Sequence, residues 1–230
     1  MKKSVAVVLG VLLAGSAAFA GETVTAVGSV ILNDVVNAVE GNGVSRNETR
    51  ELSFFNAVSL KGDYDVTIVC GKKPKIEITC DGNILPHIIA KVEDDRLFTY
   101  LSKPVIQTSV IKMKIFTGSL AEISASGKNN LIVSGIQNSR LTLHIKGAGN
   151  ICLTGKTEEL TAVLSGRVTL DAGNLASEVC RITTAGNGNA TVRVSEFLEG
   201  KIRGIGKISY YGNPGEIRKD ISGLGKMEAL

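Results

Sequence analysis

The sequence predicts an all-β protein wound as a flattened parallel β-solenoid, with coils of about nineteen residues. Three observations lead there. Glycine supplies 26 of the 230 residues, tryptophan is absent and aromatic rings are few, which with frequent Val, Ile and Leu is the composition of strands joined by tight turns. A glycine-centred motif recurs from Leu120 onward, at Gly127, Gly147, Gly166, Gly186, Gly204 and Gly223, with steps of 20, 19, 20, 18 and 19 residues. Between copies, apolar and polar residues alternate with the period of two expected of a strand with one buried face.

From the N-terminus, MKKSVAVVLGVLLAGSAAFA has the three parts of a secretory signal: Lys2 and Lys3, an apolar run, and Ala18-Phe19-Ala20 ahead of the expected cleavage. The apolar run is short for a membrane span and no second one follows, so the expected mature chain is exported, to the periplasm or the cell surface, with no stable membrane span. Removing these twenty residues leaves 24 basic against 22 acidic side chains, and a net charge of +2 gives no footing for nucleic acid. Residues 21–42 are thinly patterned and are expected to form an irregular lead-in. One continuous domain over 43–230 follows, with irregular first coils and a hairpin over 43–118 and regular repeats over 119–230.

In 43–118 the runs RELSFFNAVSLKGDYDVTIVCG, KIEITC, RLFTYL and VIKMKIF predict strands, with turns at Gly71 to Pro74 and at Asp94-Asp95. The segment NILPHIIAKVEDD predicts an exposed hairpin or short helix. Gly62, in Lys61-Gly62-Asp63-Tyr64-Asp65, is a further copy of the corner motif. In the regular part, one strand of each coil points Leu141, Leu143 and Ile145, or Leu160, Ala162 and Leu164, or Cys180, Ile182 and Thr184, inward. The other buries pairs such as Leu131 and Val133, Ile151 and Leu153, or Ala190 and Val192.

The corner glycines, with Gly149, Gly188 and Gly206 as second members of their doublets, are expected to bend the chain where stacked backbone leaves no room for a Cβ. A phosphate-binding loop needs a helix N-terminus directly after the glycines, and strands follow instead. Asn130, Asn150 and Asn189 stand at one place after the doublet, with Lys207 and Lys226 later. Amides can stack there as a ladder, and asparagine and lysine supply too little negative charge for calcium. Cys70 and Cys80 are left open as a disulfide, Cys180 is a core residue and Cys152 an outward thiol. With only His87 and His144, no metal or other cofactor is expected.

The run GNGVSRNETRELSFFNAVSLKGDYDVTI, followed by KIEITCDGNILPHI and by GSLAEISASGKNNLIVSG and its successors, resembles the family described as Putative auto-transporter adhesin, head GIN domain. The resemblance spans about Gly41 to Leu230. It implies a right-handed parallel β-helix shaped like the pectin lyases, and a role in adhesion. Family corners usually carry aspartate where this chain has Asn or Lys, and no coiled-coil stalk or membrane barrel is legible, so another molecule would hold the chain to the cell.

Three function classes remain. A non-catalytic adhesion or envelope-interaction module is the leading expectation, with a glycan or an envelope protein as partner. A polysaccharide-binding or polysaccharide-cleaving protein is the second; cleavage needs paired carboxylates, whereas Glu158, Glu159, Asp171, Glu178 and Asp220 look like separate turn and strand charges. The third is a structural envelope protein that assembles with itself as a homo-oligomer through its end strands, where Ile221, Leu224 and Met227 are apolar enough to invite stacking. Arg181, Arg193, Lys201 and Arg203 form the candidate surface for an anionic ligand.

Overall fold

A computed structural model describes residues 38–230. The expected signal peptide, and all but the last residues of the lead-in, lie outside the described residues. Apart from one 3-10 turn at Leu85–His87, the regular structure is strand: β1 Val39–Glu40, β2 Ser45–Glu51, β3 Ala57–Lys61, β4 Tyr64–Cys70, β5 Lys75–Asp81, β6 Ile88–Glu93, β7 Arg96–Leu101, β8 Val105–Ile106, β9 Ile111–Thr117, β10 Glu122–Tyr211, β11 Glu216–Gly223 and β12 Lys226–Ala229.

The pairing corrects the expected right-handed parallel β-helix. Ten strands form one mixed sheet, in the order β2-β5-β9-β4-β10-β3-β7-β6, with β11 and β12 also on β10; β1 and β8 make a separate parallel pair. Parallel neighbours hold β4 to β9 and β10 to β3, β4, β11 and β12, whereas β2–β5, β5–β9 and β6–β7 are antiparallel. The expectation failed for a physical reason: period-two alternation tells which face of a strand is buried, and it is identical for parallel and antiparallel neighbours. The repeat region runs as continuous strand through the 90 residues of β10, bent at glycines of positive φ such as Gly127, Gly147 and Gly166.

The alternation does place the core. Leu141, Leu143, Leu160, Leu164, Cys180 and Ile182 are buried, as are Leu131, Val133, Ile151, Leu153, Ala190 and Val192. They join one apolar cluster with Val66, Ile68, Ile76, Ile78, Met113 and Ile115 of β4, β5 and β9. Burying an aliphatic side chain of this size contributes about 1.5–3 kcal/mol relative to leaving it exposed, so this cluster is the dominant stabilising term.

The first strands depart from a simple hairpin. Gly71 to Pro74 leave β4 but do not return the chain beside it, because β9 lies between, parallel to β4 through Asp65↔Lys112 and antiparallel to β5 through Thr79↔Lys112. The connection arches over the end of β9, where Gly71 N–H donates to Gly118 O at 3.2 Å and Lys72 N–H to Thr117 O at 2.9 Å. Cys70 and Cys80 thus lie on strands that are not neighbours, and both thiols are free and buried. At the other edge, β6 and β7 form an antiparallel hairpin whose two turn residues, Asp94 (φ 48°) and Asp95 (φ 56°), both take the left-handed conformation of a type I′ turn.

Candidate interaction surface

The corner glycines form a column. A Cβ on Gly147 would collide with the carbonyl oxygen of Gly127, one on Gly166 with that of Gly147, and those on Gly204 and Gly223 with those of Gly186 and Gly204. Gly127 lies in the same way against Gly62, and Gly186 against Gly166 at 2.9 Å. Gly149 has φ +143° and no space above the Asn129 carbonyl. Gly188 and Gly206 differ from the rest in lacking positive φ. Space and backbone conformation account for the column, and β10 continues directly into strand beyond it with no helix to receive an anion.

The Asp/Asn position forms a short ladder along the outer face of the sheet. Asn130 Nδ2 donates to Asp65 Oδ1 at 2.8 Å, and Asn150 Nδ2 donates to Asn130 Oδ1 at 3.3 Å. Asp65 and Asn130 line a groove of about 440 Å³ that crosses β2, β5, β9, β4 and β10. Asn47, Thr79, Glu77, Lys112, Lys114 and Ile132 also contribute to its wall, and Ile132 is 55 % exposed. Among the described residues Lys112 and Lys114 take part in no ion pair; the Lys114 ammonium instead lies 5.2 Å from the centre of the Phe116 ring. A row of amides, hydroxyls and unpaired ammonium groups beside an exposed aliphatic side chain suits a ligand with both hydroxyl or anionic groups and an apolar face.

The four cations expected to form an anion-binding surface are placed differently. Arg181 forms an ion pair with Glu159, which also holds Arg140 at 3.1 Å. Glu199 lies 2.9 Å from Lys201 and 3.9 Å from Arg181. The Phe197 ring is flanked by the guanidinium groups of Arg181 and Arg218, at 5.4 and 5.2 Å. Arg203 grips Asp220 through two hydrogen bonds of 2.8 and 2.5 Å, and that contact holds the Asp220 carboxyl below its ordinary range. Arg193 stands apart: its Nε donates to Gly173 O at 2.8 Å and its guanidinium covers the Tyr211 ring at 5.0 Å. The charge of Arg181, Lys201 and Arg203 is matched by carboxylates, which weakens their field for a distant anion.

Three of the five carboxylates weighed for polysaccharide cleavage are engaged by other groups. Glu159 and Asp220 hold arginines, and Asp171 Oδ1 accepts from Gly173 N at 3.1 Å within its own turn. Among the described residues no three His, Cys, Asp or Glu side chains are grouped to hold a metal ion.

Several contacts were not legible in the sequence. Arg96 of β7 reaches across Ala57 of β3 to make a two-pronged contact with Glu122, at 2.9 and 2.7 Å, and the hydrogen bond from Arg96 lowers the Glu122 carboxyl below its usual range. Arg50 threads from β2 to the carbonyls of Ile88 and Leu85, at 2.7 and 3.3 Å. Buried Asp81 accepts from the hydroxyl and N–H of Thr108. Burial pushes the Cys70 and Cys80 thiols up to about 11 and raises Cys180 further, whereas Cys152 is half-buried. No helix among the described residues is long and apolar enough to cross a membrane.

Comparison with known proteins agrees with an all-β reading. A crystal structure of a putative adhesin from Bacteroides fragilis superposes with a TM-score of 0.66 at 21 % identity, covering 84 % of this chain and 100 % of that one. A putative lipid binding protein from Parabacteroides distasonis gives a TM-score of 0.59 at 21 % identity over 84 % and 100 % of the two chains. A putative adhesin from Parabacteroides merdae gives 0.51 at 22 % identity over 84 % and 99 %. At such identities the likeness is one of fold. No curated protein matches the chain. The sequence of residues 54–214, well over half of the chain, matches a family directly, and the chain belongs to that family, Putative auto-transporter adhesin, head GIN domain.

Proposed function

We propose that this protein is a non-catalytic, exported adhesion module that binds a surface or envelope ligand in the groove of Asp65, Lys112, Lys114, Asn130 and Ile132. One observation carries the reading: among the described residues the Lys112 and Lys114 ammonium groups of this groove take part in no ion pair, whereas Arg181, Lys201 and Arg203 are already ion-paired. Membership of an adhesin family supports adhesion, and the apolar run and Ala18-Phe19-Ala20 support export. The ligand chemistry that suits the groove is a glycan carrying acidic groups, with the ammonium groups of Lys112 and Lys114 facing the acid and Ile132 under a sugar face.

The test is a glycan array probed with the full chain, repeated with Ile132→Asp and with Lys112→Glu/Lys114→Glu. Binding to acidic glycans that falls about tenfold or more in the variants, with thermal unfolding unchanged, supports the groove. Equal binding by all three proteins, or release of cleaved sugar from the array, refutes it.

A further inference from the structure

At the far end of β10, strand β11 has one neighbour among the described residues. It pairs in parallel with Phe197–Gly204, and all eight of its residues are exposed. Its register divides them cleanly. Ile217, Lys219 and Ile221 stand beside Leu198, Gly200 and Ile202, and Leu198 and Ile202 are core residues. The alternate residues Glu216, Arg218 and Asp220 therefore face outward, where Arg218 pairs with Glu216 and Asp220 with Arg203. On the core side, Ile217 and Ile221 stay 37 % and 40 % exposed, and Leu224 just beyond is 83 % exposed.

Lys219 is the unusual residue. It lies on the core side of an edge strand between two isoleucines, opposite a glycine, and its ammonium is 3.5 Å from the Met227 carbonyl oxygen with no carboxylate paired to it. A second copy of the chain is a poor occupant of this edge. The two antiparallel two-fold registers that overlap seven of the eight residues put either Lys219 directly against Lys219 or Asp220 directly against Asp220, and like charges in facing positions are destabilising. An inward lysine is a known guard against indiscriminate edge pairing. What suits all three core-side positions is a strand with an acid opposite Lys219 and aliphatic side chains opposite the isoleucines.

We propose that the free edge of β11 binds an extended segment of another protein in which an Asp or Glu is flanked, two residues away on each side, by aliphatic residues, and that Lys219 selects for that acid. Backbone hydrogen bonds to the edge supply sequence-independent affinity, and the alternate side chains supply the choice. This surface is separate from the groove of the proposed adhesion site, so either can fail without the other.

The experiment uses the full chain and two labelled heptapeptides, with valines at positions two and six and threonines elsewhere, one carrying glutamate and the other lysine at its centre. Fluorescence anisotropy should show the glutamate peptide bound about tenfold or more tightly than the lysine peptide, and K219E should reverse that order. Because Lys219 is exposed, K219E should unfold at the same temperature as the unchanged protein, which separates lost selection from lost folding. Equal binding of both peptides, binding of neither at millimolar concentration, an unchanged order in K219E, or a dimer by light scattering that K219E dissociates would each overturn the proposal.

Discussion

Two matched glycines give a direct test of why β10 turns where it does. Gly149 and Gly188 are each the second glycine of a Gly-x-Gly corner, so sequence treats them alike. Their surroundings differ. Gly149 has φ +143° and an added Cβ would run into the carbonyl of Asn129, whereas Gly188 has no positive φ and its nearest neighbour would be Thr184 Cβ at 3.4 Å, an ordinary contact. Alanine at 149 imposes backbone strain of about 1–3 kcal/mol. It must also push the neighbouring stretch away, with the net loss of about one ladder hydrogen bond, about 1 kcal/mol. The sum is about 2–4 kcal/mol, and at about 2–4 °C per kcal/mol for a domain of this size the midpoint should fall by about 4–16 °C. Gly188→Ala should stay within about 1 kcal/mol and can be stabilising, because alanine restricts the unfolded chain. Scanning calorimetry of both variants beside the unchanged protein measures this. Equal losses at the two positions, or an unaltered midpoint for Gly149→Ala, would refute the steric account.

Thiol chemistry and pH give further checks. In a native-state titration with a thiol reagent, Cys152 should react first, whereas Cys70, Cys80 and Cys180 should wait for denaturant; mass analysis of unreduced protein should show no intramolecular disulfide. The carboxyl of Glu122 is held below its ordinary value of 4.5 by Arg96, so its contribution is complete above that value and is lost as pH falls through the lower value in the folded state. Partial exposure limits the effect to below about 1 kcal/mol. Between about pH 6 and pH 3, urea midpoints should therefore fall slightly further for the unchanged protein than for Glu122→Gln, and parallel curves would show the pair to be inert.

The residues that proved legible were those whose placement depends on local alternation. Leu143, Ile182 and Val192 could be assigned to the core from their immediate neighbours, because a strand shows its buried face every second residue. Asp94-Asp95 could be assigned to a turn because few residues accept left-handed geometry twice in succession. Strand direction was not legible. Nothing in VIKMKIF says that it will wedge between β4 and β5, since its alternation suits a parallel and an antiparallel neighbour equally. The charged side was half legible: Arg181 and Arg203 were visible as cations, but their partners 22 and 17 residues away were not, and those partners decide whether a cation is free for a ligand. The groove escaped notice because Asp65, Lys112 and Asn130 come from three separate parts of the chain.

The wedge of β9 also constrains the order of events in folding. A chain emerging from its N-terminal end has β4 and β5 long before residues 111–117 exist, and the nearest low-cost arrangement for two strands joined by Gly71 to Pro74 is to pair with each other. Native structure forbids that pairing, so an early hairpin would have to unzip before β9 could take its seat. Refolding should accordingly show a slow phase that a weakened early hairpin shortens, and the arch over Thr117 and Gly118 is then a latch that closes only once β9 is seated.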